Sequence, residues 1–175
     1  MKPILQFLMA ASVIWPLHGA QISPAHLRCD NRTASLGIDS TAPRFSWKLD
    51  AADPQSRGLV QTAYQVTVAT DSGVVWDSGK VVSNAVNQIV YAGPALASSG
   101  KYLWKVRVWD AADAVSPWSA TESFTMGLLA PGDWTAQWIT PSTAATDVKS
   151  TRLRKEFTVA AGLARAILHV TGLGQ

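Results

Sequence analysis

The sequence predicts an all-β protein whose main body is an antiparallel sandwich, on three observations. Short segments alternate apolar and polar residues with period two and are rich in β-branched and aromatic side chains. Clusters of Gly, Asp, Asn, Ser and Pro separate these segments. No helical periodicity intervenes, which argues against an α/β fold, where strands and helices would take turns.

The elements come in this order. Residues 44–49 set Phe45, Trp47 and Leu49 against Arg44, Ser46 and Lys48. Residues 63–69 set Tyr64, Val66 and Val68 against Gln65 and Thr67. Asp71-Ser72-Gly73 makes a turn, residues 74–77 return as a strand, and Ser78-Gly79-Lys80 turns again. Residues 88–91 form a short strand closed by Gly93-Pro94. The longest strand spans 101–110, with Tyr102, Trp104, Val106 and Val108 on one face and Leu103, Lys105, Arg107 and Trp109 on the other. That pattern gives one core face and one wet face. Residues 123–126 close the set.

Around this body the chain divides into several parts. Lys2, an apolar run over residues 4–17 and His18-Gly19-Ala20 read as a secretory signal over residues 1–20. The apolar run is shorter than the roughly 20 residues a membrane span needs. The expected product is therefore exported, periplasmic or extracellular, with no membrane span after cleavage. Residues 21–42 are polar, broken by Pro24 and Gly37, and are read as an extended lead-in to a sandwich over 43–127. Residues 128–150 form a linker around Pro131-Gly132 and a Ser/Thr/Ala-rich loop. Residues 152–159 and 164–170 are expected as two strands, the start of a second, truncated β-sandwich over 151–175, since two strands alone do not build a stable domain.

The 15 Lys and Arg against 12 Asp and Glu leave a net charge of +3, and no basic run tracks a phosphate backbone, so no nucleic-acid partner is expected. Cys29, the single cysteine, forms no internal disulfide and is expected near the start of the first strand, partly buried. Beyond the leader only His26 and His169 remain, too few with one cysteine for a zinc set, so no metal or cofactor site is assigned. Asp50, Asp53, Asp71, Asp77, Asp110 and Asp113 sit in or beside turns, and Glu122 and Glu156 lie at strands. No two of them suggest an acid and a base converging on a sugar, and no catalytic residue is assigned. Gly172-Leu173-Gly174 lacks the helix and third glycine of a phosphate loop, and Asn31-Arg32-Thr33 is a sequon too common to carry weight.

Several blocks carry a resemblance by their order. They begin with Leu27-Arg28-Cys29-Asp30, Leu36-Gly37-Ile38-Asp39, Pro43-Arg44-Phe45-Ser46-Trp47 and Gln61-Thr62-Ala63-Tyr64. They continue with Val75-Trp76-Asp77-Ser78-Gly79-Lys80, Trp104-Lys105-Val106-Arg107-Val108-Trp109-Asp110, Trp118-Ser119 and Phe124-Thr125-Met126-Gly127-Leu128-Leu129. Asp133-Trp134 then leads into Trp138-Ile139. Together they resemble the N-terminal region of bacterial α-L-rhamnosidases of glycoside hydrolase family 78. The resemblance implies a fibronectin type III-like (immunoglobulin-like) first domain, a second β-sandwich, and a later (α/α)6 barrel that carries the catalytic carboxylates and releases terminal L-rhamnose with inversion. That barrel is absent from this sequence, so the chain alone is expected to be inactive.

Four tryptophans are candidate contacts. Trp109 lies on the polar face of the long strand beside Arg107 and Lys105, where it could meet a sugar or the next domain. Trp118, Trp134 and Trp138 gather around the boundary, where interdomain packing is favoured over sugar stacking. Expected partners are later domains of a parent enzyme and rhamnose-containing glycans. The alternative is a stand-alone secreted module of fibronectin type III type that binds a glycan or a protein.

Overall fold

The computed structural model describes residues 20–139 and 153–172. The leader expected over residues 1–20 (save Ala20) and the loop at 141–150 lie outside the described residues. The described chain is all-β, with strands β1 (Ile22–Cys29), β2 (Ser35–Ile38), β3 (Arg44–Ala51), β4 (Gln61–Thr70), β5 (Gly73–Asp77), β6 (Val81–Val82), β7 (Ile89–Val90), β8 (Lys101–Asp110) and β9 (Glu122–Met126). A single 3-10 turn, Pro131–Asp133, comes after them.

Two sheets face each other. The smaller runs β1-β3-β7 and the larger β2-β9-β8-β4-β5, with β6 also paired to β4. All pairings are antiparallel except β2 with β9, which is parallel. In the larger sheet Val66 of β4 stands opposite Val106 of β8, Val68 opposite Trp104, and Tyr102 opposite Phe124 of β9. These side chains meet Phe45 and Trp47 of β3 and Ile22, Leu27 and Cys29 of β1 in one core. Phe45 sits at its centre, fully buried, with its ring centroid 4.5 Å from Trp104 and 5.9 Å from Phe124. The polar groups that enter the core have partners. The Trp47 indole donates to Gln61 Oε1 at 3.0 Å, and Gln61 Nε2 donates to the carbonyls of Ser83 and Ala85. A buried donor or acceptor left alone would cost about 1–3 kcal/mol.

The stretch read as an extended lead-in is instead two strands of the sandwich. β1 pairs along β3 from Ile22 opposite Ala51 to Cys29 opposite Phe45. A bulge between Ala25 and Arg28, with His26 at φ 51°, moves the inward positions from 22 and 24 to 27 and 29. An extra residue reverses the parity of a strand, so no single period-two pattern runs through it. β2 is equally masked: Gly37 at φ 69° breaks its register, and the buried residues are Ser35 and Ile38. Only glycine takes that backbone at little cost. β6 has two residues, too few to show a pattern.

Residues 153–172 form no strand, contrary to the two expected there. A sheet needs a neighbour to hydrogen-bond its backbone and cover its apolar face. Here Phe157, Leu168 and Val170 stand exposed.

Candidate functional site

The outward face of β8 holds the densest cluster of polar and aromatic contacts. Period-two alternation puts Lys105, Arg107 and Trp109 on that face. Residues 116–119 run alongside without being a regular strand. Ser116 N and Ser119 N donate to the carbonyls of Val108 and Val106, each at 2.8 Å. The same two serines use their hydroxyls to accept from Val108 N at 3.0 Å and Val106 N at 3.1 Å. Serine oxygens thus complete a ladder where strand carbonyls are missing.

That pairing brings Trp118 between the cations. Lys105 Nζ and Arg107 Cζ each lie 4.8 Å from the Trp118 ring centroid. Arg107 Cζ also lies 5.2 Å from the Trp109 centroid, and Lys80 Nζ 4.9 Å from it. The result is an alternating row, Lys105–Trp118–Arg107–Trp109–Lys80. Each such contact contributes about 0.5–1 kcal/mol at an exposed site. Gln65 on β4 fixes the central guanidinium: Arg107 Nε donates to its Oε1 at 2.8 Å, while Gln65 Nε2 donates to Asp77 at 2.7 Å. Lys80 is paired with Asp113.

The second cluster lies at one end of the sandwich. Ser98 donates its hydroxyl to Asp133 and accepts from Leu129 N at 2.9 Å, and Ala130 N donates to Asp133 at 3.0 Å. Chiefly the Ser98 hydroxyl, and then the Ala130 N–H, hold the Asp133 carboxyl below the usual carboxylate range. Trp134 comes directly after this turn, 40% exposed, and meets His169 edge-on with centroids 6.2 Å apart.

The four candidate tryptophans therefore separate. Trp109 is buried, with Lys80 and Arg107 over its ring. Trp118 is half-buried and joins the row on β8, whereas Trp134 belongs to the end cluster. Trp138 is 66% exposed. Lys80, Gln65 and Asp77 were not expected in this cluster. They come from other strands and turns, and only the outward positions of β8 were marked by alternation.

The turn carboxylates do local work. Asp53 accepts from Gln55 N and Asp77 from Gly79 N. Asp110 is buried and accepts from Ala112 N and Ala114 N through Oδ1 and from Gln21 N through Oδ2. Burial raises its pKa, but those three N–H groups together bring it below the ordinary value. Such a carboxylate holds a turn and ties the first strand to β8.

The family model described as Rha78A-like, N-terminal immunoglobulin domain, matches residues 24–130. An α-L-rhamnosidase from Streptomyces avermitilis is 42% identical over 120 residues, covering 66% of this chain and 11% of that protein. One from Alteromonas is 34% identical over 153 residues, covering 79% of this chain and 16% of that protein. The solved α-L-rhamnosidase of Dictyoglumus thermophilum superposes with a TM-score of 0.63 at 42% identity, covering 67% of this chain and 14% of that structure. The chain thus spans only 11–16% of the curated relatives it matches. Its sandwich, from β1 through β9, falls almost wholly inside the matched residues, and the chain belongs to the Rha78A-like family of N-terminal immunoglobulin domains.

Proposed function

We propose that this chain is the non-catalytic N-terminal segment of an exported α-L-rhamnosidase, and that its sandwich packs against and positions later domains. The observation that carries the reading is the short span it covers in relatives named as α-L-rhamnosidases. The reaction, removal of terminal α-L-rhamnose from glycosides or polysaccharides, belongs in this reading to the barrel of the parent enzyme. Two further features support a packing role. Asp53, Asp77 and Asp110 are engaged in turns, and the exposed apolar side chains concentrate after residue 133, at Trp134, Trp138, Ile139 and along residues 153–170. Among the described residues no helix is long and apolar enough to cross a membrane.

Carbohydrate contact is a narrower part of the same proposal. With Trp109 buried and Trp118 held by Lys105 and Arg107, the rings left for a sugar are Trp134 and Trp138. The place of Trp134 beside the end cluster favours interdomain packing.

The test is an immunoblot of the source cells and their medium with antibody raised to residues 22–127, paired with hydrolysis of 4-nitrophenyl α-L-rhamnopyranoside by the captured protein. The expected result is a band several times longer than this chain that hydrolyses the substrate, while residues 20–130 alone do not. A band at the length of this chain, with no hydrolysis, would sink the reading in favour of a stand-alone binding module.

A further inference from the structure

Arg165 and His169 touch one end of the sandwich although residues 163–170 belong to no strand. Arg165 Nη2 donates to the Ser99 carbonyl at 2.8 Å, and His169 Nε2 lies 3.2 Å from the Ser99 hydroxyl. His169 meets the edge of Trp134 as well. Both contacts on Ser99 come from odd-numbered positions, and Ile167 between them is 44% exposed. The even positions Leu168 and Val170 are 87% and 81% exposed. Four residues apart in an extended segment, Arg165 and His169 fall on the same face.

The loop that they touch is fixed by its own contacts. Ser99 holds φ at 58°, a backbone conformation that non-glycine residues seldom adopt. Its N–H is fixed by the Gly127 carbonyl at 2.9 Å, and Gly100 N donates to Ala97 O at 3.0 Å. Tyr102 Oη accepts from Ala97 N at 2.8 Å. A Cβ on Gly100 would come within 2.7 Å of the Tyr102 ring and 2.8 Å of the Ala97 carbonyl, so the loop admits no side chain there. The adjoining turn that presents Trp134 is pinned to the same loop through Ser98 and Asp133. Backbone strain persists where surrounding contacts over-determine it, and such places gather at clamps and contact sites.

We propose that residues 97–100 and 131–134 form a socket for residues 165–169, and that this latch sets the orientation in which Leu168 and Val170 meet the next layer of the longer polypeptide. The orientation part rests on the reading of the chain as the front of a longer enzyme. The latch itself is a property of this chain. Arg165 and His169 grip the loop from one face of the segment, which leaves the apolar side chains of the other face turned outward. An apolar face of that kind is covered by a second strand or sheet in a completed domain.

The test uses backbone 15N relaxation on the full chain and on the double variant Arg165→Ala/His169→Ala, with Trp134→Ala as a second variant. In the wild type the order parameters of residues 165–169 should match those of β8, above about 0.8, and fall below about 0.6 in the double variant. Unchanged β8 values report that the sandwich remains folded. Values already below about 0.6 in the wild type would overturn the latch. So would a double variant as ordered as the parent. The orientation claim is read in the longer polypeptide by small-angle X-ray scattering, where the double variant should give a broader distance distribution. Identical profiles would overturn that claim. Absence of a longer polypeptide on the immunoblot would remove the functional reading and leave the relaxation result standing.

Discussion

Cys29 shows how a single residue reports on the fold. Burial first, and the charge of Asp30 second, push its thiol from 9.0 up to about 12. The folded state therefore keeps the proton that the unfolded chain gives up. Stability from this group is complete below pH 9.0 and is lost as pH rises from there toward about 12. Urea midpoints should fall between pH 9 and 10 in the wild type and fall less in Cys29→Ala (pH values on the scale of the ordinary thiol pKa). Tyr64 and Tyr91, also raised by burial, add to the loss at higher pH, so the comparison belongs at the lower end of the range. Equal slopes in both proteins would count against a thiol sealed in the core. Trp118 allows a second test at this scale. It engages both Lys105 and Arg107, and its loss removes two contacts of about 0.5–1 kcal/mol each. Trp118→Ala should therefore lower stability by about 1–2 kcal/mol in urea unfolding, with Trp118→Phe intermediate. A midpoint unmoved by either substitution would mean that the row is ornament on a sheet that needs no help.

Among the elements, β1 and β2 carry the sharpest prediction, because they occupy the stretch that the sequence presents as a lead-in. β1 supplies Ile22, Leu27 and Cys29 to the core, and β2 supplies Ile38. Each aliphatic side chain contributes about 1.5–3 kcal/mol on burial, a sum comparable with the roughly 5–15 kcal/mol of a whole domain. Their removal also bares the edges of β3 and β9 to other chains. A chain trimmed to begin at residue 43 should give the circular dichroism and amide spectrum of an unfolded or aggregated protein, whereas one beginning at residue 20 folds. Cooperative unfolding of the shorter chain would show that the sandwich closes without them. β3, β8 and β9 were legible because each keeps its alternation over several residues. β1 was not, because its bulge swaps the inward positions midway. β2 was not, because its buried residues stand three apart across Gly37.

At the scale of the molecule, the sandwich and the C-terminal stretch beyond it differ in kind. Among the described residues the buried core lies within residues 22–126, while residues 153–172 touch Ser99 and Trp134 through exposed or part-buried contacts. Exposed polar contacts contribute on the order of 1 kcal/mol or less. Residues 20–130 should accordingly unfold at nearly the same urea midpoint as the full chain, within about 1 kcal/mol. A larger loss would mean that the C-terminal stretch is part of the sandwich's own core. Such a weak attachment fits the joint proposed above.

The all-β class, the core face of β8 and the likeness to rhamnosidase N-termini were settled by residue order alone, since period-two alternation and ordered blocks are local in the chain. Placing the four tryptophans was beyond it. Trp109 and Trp118 stand on either side of Arg107 only because residues 116–119 fold back along β8, and Trp134 finds His169 from far along the chain. Those meetings depend on loop closure and on which strand lies beside which. Alternation says which way a side chain points along its own strand, but only the packed sandwich decides what it meets there.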